Sequence, residues 1–346
     1  MGGSGRVRVS SERLSSLRSA LEMEKVPLLL SLTDSVDDAE TALALRAPGE
    51  VAIAIACAGA TSTESRDRTS LELDQHKFLV ELGARTAPAR IAGSLPPLAI
   101  IAQAPGAVVA EWARAESADA ADAAAIMFLG GEQTGRAWAD VLLGRIAPSG
   151  KLPLTLPRSA DQGTGACPDL RCEYTEELLM GWKGLVGHEV EYPFGHGLSY
   201  ANFIWELDEP PKLLPCSDGR LSDKECSPLS PALTLSVRVV NLGSPQRTSV
   251  NMTTLAASEV VQLYLGYPPH AAEPPLVLRA FNKTRPMRAG EGQRISFTLN
   301  RRDMSVWDVT RARWRSIHGT FSVSLGSSSR DLRLNTTFDC HSGDEE

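Results

Sequence analysis

Four short apolar runs, at residues 26–31, 51–57, 98–102 and 124–129, are continuous rather than alternating. That is how strands buried on both faces of a parallel sheet read. Beside them, residues 11–24, 37–46, 74–85, 107–114 and 132–143 show apolar positions at helical spacing. The segment starting at Asp74 has a capping residue and brings Phe78, Leu79 and Leu82 to one face. The alternation is a βαβ rhythm, and it predicts an α/β domain built on a mainly parallel sheet.

From about Ala147 the rhythm stops, and Pro148, Pro153, Pro157, Pro168 and Pro193 punctuate an irregular stretch. A proline-rich segment with two cysteines, residues 210–231, reads as a linker or surface insertion. Beyond it the texture changes to alternating strands at residues 233–240, 258–265, 293–299 and 320–325, separated by turn signals such as Asn241-Leu242-Gly243 and Ala289-Gly290-Glu291-Gly292. These predict a small β-sandwich. Arg311-Ala312-Arg313-Trp314 reads as one more strand with an outward basic face. The expected organisation is an α/β domain with an extended end over residues 1–205, a linker over 206–231, a β-sandwich over 232–338 and a tail over 339–346.

Composition narrows the partners. The chain has 346 residues, 42% hydrophobic and 22% charged, an ordinary globular composition long enough for two cores. A net charge of −7 and only 5% aromatic residues argue against nucleic acid as a partner, since neither phosphate neutralisation nor base stacking is provided for. No apolar run is long enough to cross a bilayer, so a soluble chain without a membrane partner is expected. Met1-Gly2-Gly3-Ser4-Gly5-Arg6 carries no apolar stretch that would read as a signal peptide.

The cysteines at positions 57, 167, 172, 216, 226 and 340 lack paired CxxC spacing, and a metal site has no support. Cys57 reads as a buried thiol. Cys167 with Cys172 and Cys216 with Cys226 could close short disulfides in an oxidising compartment. Together with Asn-x-Ser/Thr tripeptides at Asn251, Asn282 and Asn335, they lean towards a secreted or lumenal protein.

Ligands of an open parallel sheet bind beyond the carboxyl ends of its strands, so the loop after residues 51–57 is the first place for chemistry. It carries Glu64-Ser65-Arg66-Asp67-Arg68. A loop glutamate can serve as a general acid, with an Asp67 and Arg68 pair holding the loop, or the cluster can be a solvated surface. Gly130-Gly131-Glu132-Gln133-Thr134-Gly135 follows a strand and opens a helix, but its glycine spacing and Glu132 do not suit a dinucleotide. His188 and His196 read as hydrogen-bonded loop histidines. No cofactor is implied.

Taken in order, Gly2-Gly3-Ser4-Gly5-Arg6-Val7, Glu64-Ser65-Arg66-Asp67-Arg68-Thr69-Ser70-Leu71-Glu72-Leu73, Gly135 to Gly144 with Pro148-Ser149-Gly150-Lys151-Leu152-Pro153, and Tyr192-Pro193-Phe194-Gly195-His196-Gly197-Leu198-Ser199-Tyr200 resemble the carboxyl-terminal part of a glycoside hydrolase family 3 enzyme of the β-glucosidase and β-xylosidase type. The later strands resemble the fibronectin type III-like domain that follows in many members. The resemblance implies a retaining glycosidase that acts on terminal β-linked sugars with two carboxyl groups about 5–5.5 Å apart. Glu64 matches the acid/base position, and Gly3, Ser4 and Gly5 match a loop bordering the substrate pocket. The nucleophile, an aspartate on an amino-terminal (β/α)8 barrel of about 250 residues, is expected to be absent here, leaving the chain inactive alone unless a barrel is supplied. Ser65 and Arg66 depart from the family's glycine and following aromatic. A non-catalytic sugar-binding or adhesion protein on the same scaffolds is the alternative.

Overall fold

A computed structural model describes residues 10, 13–47, 51–163, 171–215, 227–244 and 255–340. Two compact units are present, the first drawn from residues 1–143, 155–167 and 189–192, the second from 144–154, 168–188 and 193–346.

The first unit holds a parallel sheet in the order β1 (Ala54–Gly59), β2 (Leu98–Gln103), β3 (Ala123–Met127). Leu98, Ala99, Ile100, Ile101 and Ala102 are all buried, as the continuous apolar run of a central strand requires. Among the described residues four helices accompany the sheet: α1 (Leu17–Met23), α2 (Val36–Ala44), α3 (His76–Ile91) and α4 (Thr134–Leu142). The Ser16 side chain caps α1 and that of Ser35 caps α2. In α3, Leu79 and Leu82 are buried, and Gly83 is required because a Cβ there would lie 2.1 Å from the Asp119 carbonyl oxygen.

Three expectations for this unit change. Residues 26–31 form no strand; Pro27 has no N–H for a ladder, and Leu29 and Leu30 are 59% and 46% exposed. The helix expected at 107–114 shrinks to a 3-10 turn, Glu111–Ala113, because the Val109 N–H donates to Leu71 O (3.0 Å) instead of closing a helical turn. Cys57 is exposed rather than buried, since it lies on β1, an edge strand among the described residues.

The second unit contains a four-stranded antiparallel sheet, in the order β12 (Leu332–Cys340), β11 (Gly319–Gly326), β6 (Val260–Gly266), β7 (Val277–Lys283). A three-stranded sheet runs β4 (Asn202–Leu213), β5 (Pro231–Gly243), β8 (Gly292–Asn300). A ribbon joins β9 (Ser305–Asp308) to β10 (Arg313–Ser316). Alternation puts Ile295, Phe297 and Leu299 of β8 inside with exposed residues between them, and they share one core with Leu235, Val237, Val261, Leu263, Phe321 and Val323. Residues 206–213 lie within β4 and pair with β5, although their prolines read as linker; the register shifts along that pairing absorb Pro210 and Pro211. Cys172 is disulfide-bonded. Cys167, Cys216, Cys226, Asn251 and residues 341–346 lie outside the described residues.

Candidate active site

Because β1, β2 and β3 are parallel, their carboxyl ends, Gly59, Gln103 and Met127, lie at one edge of the sheet. The loop of residues 60–73 leaves from there. Its two ends are held together: the Asp74 N–H donates to Gly59 O (2.8 Å), the Gly59 N–H donates to Gln75 Oε1 (3.0 Å), and Asp74 Oδ2 accepts from the Thr61 N–H (3.0 Å) and hydroxyl (2.5 Å). Asp74 is thus a loop anchor, and α3 begins two residues later without a side-chain cap. Sequence reading assigned this role to neither Asp74 nor Gln75; the signal was their position at the loop–helix junction, which helix capping also explains.

Glu64 and Ser65 are the central residues of a tight turn closed by the antiparallel bridge between Thr63 and Arg66. Ser65 has φ +64°, a left-handed value in which a side chain costs about 1 kcal/mol and glycine almost nothing. Ser65 is one of the two residues at which the loop departs from the pattern it resembles. Glu64 is exposed on the turn, and so is Asp67. Arg68 turns back instead, donating from Nη2 to Glu72 O (2.9 Å) and from Nη1 to Ala107 O (3.5 Å). It laces the loop to the segment following β2, beside the bond from Val109 to Leu71. Gly3, Ser4 and Gly5 lie outside the described residues.

Other polar groups of this unit brace the scaffold. His76 Nε2 and Glu111 Oε1 are 3.0 Å apart. The Arg114 guanidinium donates to Glu191, whose side chain is 1% exposed, at 2.9 Å. At the opposite end of the sheet Asp122 accepts from the Leu98 N–H (2.8 Å) and from buried Arg90 (2.7 Å). Burial pushes the Asp122 carboxyl up, and these hydrogen bonds outweigh it, holding the group below the usual carboxylate range. Gly135 has a packing role: a Cβ there would lie 2.2 Å from the Ser16 carbonyl carbon, where α4 meets α1. Among the described residues no three His, Cys, Asp or Glu side chains gather in a metal-binding arrangement, and no helix is long and apolar enough to cross a membrane.

Two of the motif segments meet in the second unit. The Leu152 N–H donates to His196 O (2.8 Å) and the Gly195 N–H to Leu152 O (2.9 Å), so residues 150–153 and 194–197 run as a short ladder. Gly195, at φ +81°, lets Gln262 approach and donate from Nε2 to its carbonyl (3.1 Å); a Cβ there would meet Gln262 Oε1 at 2.1 Å. Phe194 stacks on Trp182, with centroids 4.9 Å apart. Beneath them lies a buried ion pair between Lys151 Nζ and Glu259 Oε1, 3.1 Å apart, and Lys151 also donates to Gly197 O (2.8 Å). Burial, and then the Lys151 charge, hold His196 below its usual range, favouring the neutral ring. These motifs are structural braces.

Comparison with known proteins places this geometry. Residues 2–200 match the Glycosyl hydrolase family 3 C-terminal domain, and residues 259–329 match a Fibronectin type III-like domain. A probable beta-glucosidase D of Aspergillus flavus is 35% identical over 215 residues, covering 60% of this chain and 27% of that protein. A probable beta-glucosidase L of Emericella nidulans is 32% identical over 325 residues, covering 89% of this chain and 41% of that protein. The chain therefore spans well under half the length of these curated relatives. The crystal structure of beta-D-glucoside glucohydrolase from Trichoderma reesei superposes with a TM-score of 0.74 at 25% identity, covering 94% of this chain and 45% of that one. Beta-glucosidase D2-BGL from Chaetomella raphigera gives 0.76 at 27%, covering 95% and 45%. On the extent of the first match, more than half of its length, the chain belongs to glycosyl hydrolase family 3.

Proposed function

We propose that this chain is the carboxyl-terminal portion of a retaining β-glycosidase that hydrolyses terminal β-linked sugars, and that Glu64 is its acid/base group. The observation that carries the reading is the position of Glu64 on a tight turn of an anchored loop at the carboxyl ends of a parallel sheet, where a ligand of such a sheet binds. In this reading Glu64 protonates the leaving glycosidic oxygen and then deprotonates the water that releases the sugar, while an aspartate of a (β/α)8 barrel outside this chain attacks the anomeric carbon. Arg68 positions the loop, Asp67 supports it, and Gly3, Ser4 and Gly5 border the pocket. The large apolar side chains left in water on the first unit, Leu29, Leu30, Leu32, Val51 and Ile53 among them, support a missing neighbour. An α/β domain followed by a β-sandwich belongs to the same proposal, with residues 206–213 counted in the sandwich through β4.

The chain alone is expected to turn over no aryl β-glucoside, and turnover should appear when a family 3 barrel is joined to it. Glu64→Gln should then abolish the turnover of poor leaving groups while azide restores that of good ones as a β-glycosyl azide, the signature of a lost acid/base in a retaining enzyme. Full activity of the isolated chain, or an unaffected Glu64→Gln, would sink the proposal. The left-handed Ser65 in place of glycine favours a second reading, a sugar-binding scaffold without turnover. In that case Glu64→Gln leaves sugar binding unchanged and no barrel is needed.

A further inference from the structure

Asp74 stands beside the start of α3, where an acidic side chain ordinarily serves the helix N-terminus. Its bonds go elsewhere. The helix begins without a side-chain cap, and Asp74 Oδ2 accepts instead from the N–H (3.0 Å) and the hydroxyl (2.5 Å) of Thr61, thirteen residues back. Asp74 is exposed, so its side chain fills no core. It holds one backbone position at the far end of the loop.

That position leads directly to the turn of Glu64. Successive N–H groups on the outgoing side are all bonded: Gly59 donates to Gln75 Oε1 (3.0 Å), Ala60 to Gln103 O at the end of β2 (2.9 Å), and Thr61 to Asp74. Only Ser62 separates this stub from the bridge between Thr63 and Arg66 that closes the turn. On the returning side Asp67 alone separates the bridge from Arg68, whose guanidinium donates to Glu72 O (2.9 Å). The turn is therefore held at both feet, with a single residue between each hold and the bridge. At the outgoing foot an N–H and a hydroxyl converge on one carboxylate oxygen, whose charge strengthens both bonds.

We infer that Asp74 is a positioning residue for Glu64: through Thr61 it sets where the Glu64 carboxyl stands, and so how well that carboxyl delivers its proton. The inference rests on the reading of Glu64 as the acid/base. In that reading the barrel aspartate bonds to the anomeric carbon as the glycosidic C–O bond breaks, and the departing oxygen, which keeps the electron pair, takes the proton of Glu64. A displaced Glu64 slows the departure of groups that need this proton and spares groups stable enough to leave as anions.

The test compares two leaving groups in the whole chain joined to a family 3 barrel, with kcat/KM as the measure of glycosidic cleavage. Asp74→Ala should lower kcat/KM about tenfold or more on methyl β-glucoside, whose alkoxide needs the proton, and less than about twofold on dinitrophenyl β-glucoside, whose phenolate does not. Asp74→Asn keeps an acceptor oxygen and should restore part of the loss. Thr61→Val, which removes only the hydroxyl, should show the same selectivity at smaller size, and it carries the test if Asp74→Ala loses its thermal unfolding transition. In the whole chain by itself, hydrogen exchange at the Thr61 amide should quicken about tenfold in Asp74→Ala while the amides of β2 keep their rates. An equal loss on both substrates marks a general structural effect and overturns the inference, as does no loss on either or an unchanged Thr61 amide. Glu64→Gln in the same joined protein keeps the two readings apart. If it shows no selective loss on the methyl glucoside, the acid/base reading falls and the inference with it; if it shows that loss and folded Asp74→Ala does not, only the role of Asp74 falls.

Discussion

The two units of the chain meet the same hydrophobic effect differently, the second with one large core between its sheets and the first with a buried central strand. In the sandwich unit, Leu233, Leu235, Leu263, Leu265 and Phe321 are at most 1% exposed and belong to a core drawn from both sheets. In the α/β unit the middle strand is as well buried, yet Leu32 is 80% and Val51 100% exposed. Large apolar side chains stay in water on both units, Val309 of the second at 81% among them, so apolar residues of equal strength in a sequence meet different fates according to what folds over them.

Core truncation should separate the units most sharply. Leu263→Ala is expected to lower stability by about 3–5 kcal/mol, whereas Leu32→Ser should change it by less than about 0.5 kcal/mol. Urea unfolding of both variants checks this, and a comparable loss from Leu32→Ser would show that the apolar surface of the first unit is covered in solution. Next comes the buried ion pair of the second unit. Glu259→Ala leaves Lys151 uncompensated beneath the 194–197 segment and should cost about 3 kcal/mol, more than Glu259→Gln, which retains a hydrogen-bond acceptor.

A smaller effect is expected from pH. His196 binds its proton less readily folded than unfolded, so the unfolded chain takes up more protons as pH falls past the ordinary histidine value of 6.5. Its contribution to stability is present above that pH and is lost below it, until the folded group also protonates. A plot of Tm against pH should fall on acidification, and His196→Asn should flatten that fall between neutrality and about pH 5, above the carboxylate range. The smallest change is Ser65→Gly, which relieves the left-handed turn and should add about 0.5–1 kcal/mol, reduced by the extra chain entropy of glycine. A destabilised Ser65→Gly would show that the Ser65 side chain makes a contact worth more than its strain.

Much of this architecture is legible without coordinates. The runs at 98–102, 124–129, 233–240 and 293–299 coincide with β2, β3, β5 and β8 to within a few residues, because continuous burial and two-residue alternation are local patterns. The turn signals hold as well: Gly243 and Gly290 both have φ +83°. The candidate site was legible as a loop, since the carboxyl end of a buried parallel strand is a place any such sheet makes available.

What the residues determined was the kind of each segment, its family likeness and the sequence position of Glu64. Only the tertiary structure decided that Asp74 anchors a loop, that 206–213 join a sheet through their prolines, and that 150–153 and 194–197 brace each other. Each of those outcomes depends on a partner elsewhere in the sequence: the Thr61 hydroxyl, β5, and the hydrogen bonds of Leu152 with Gly195 and His196. Local preference sets which hydrogen bonds and apolar faces a segment offers, and long-range packing selects which of them are met.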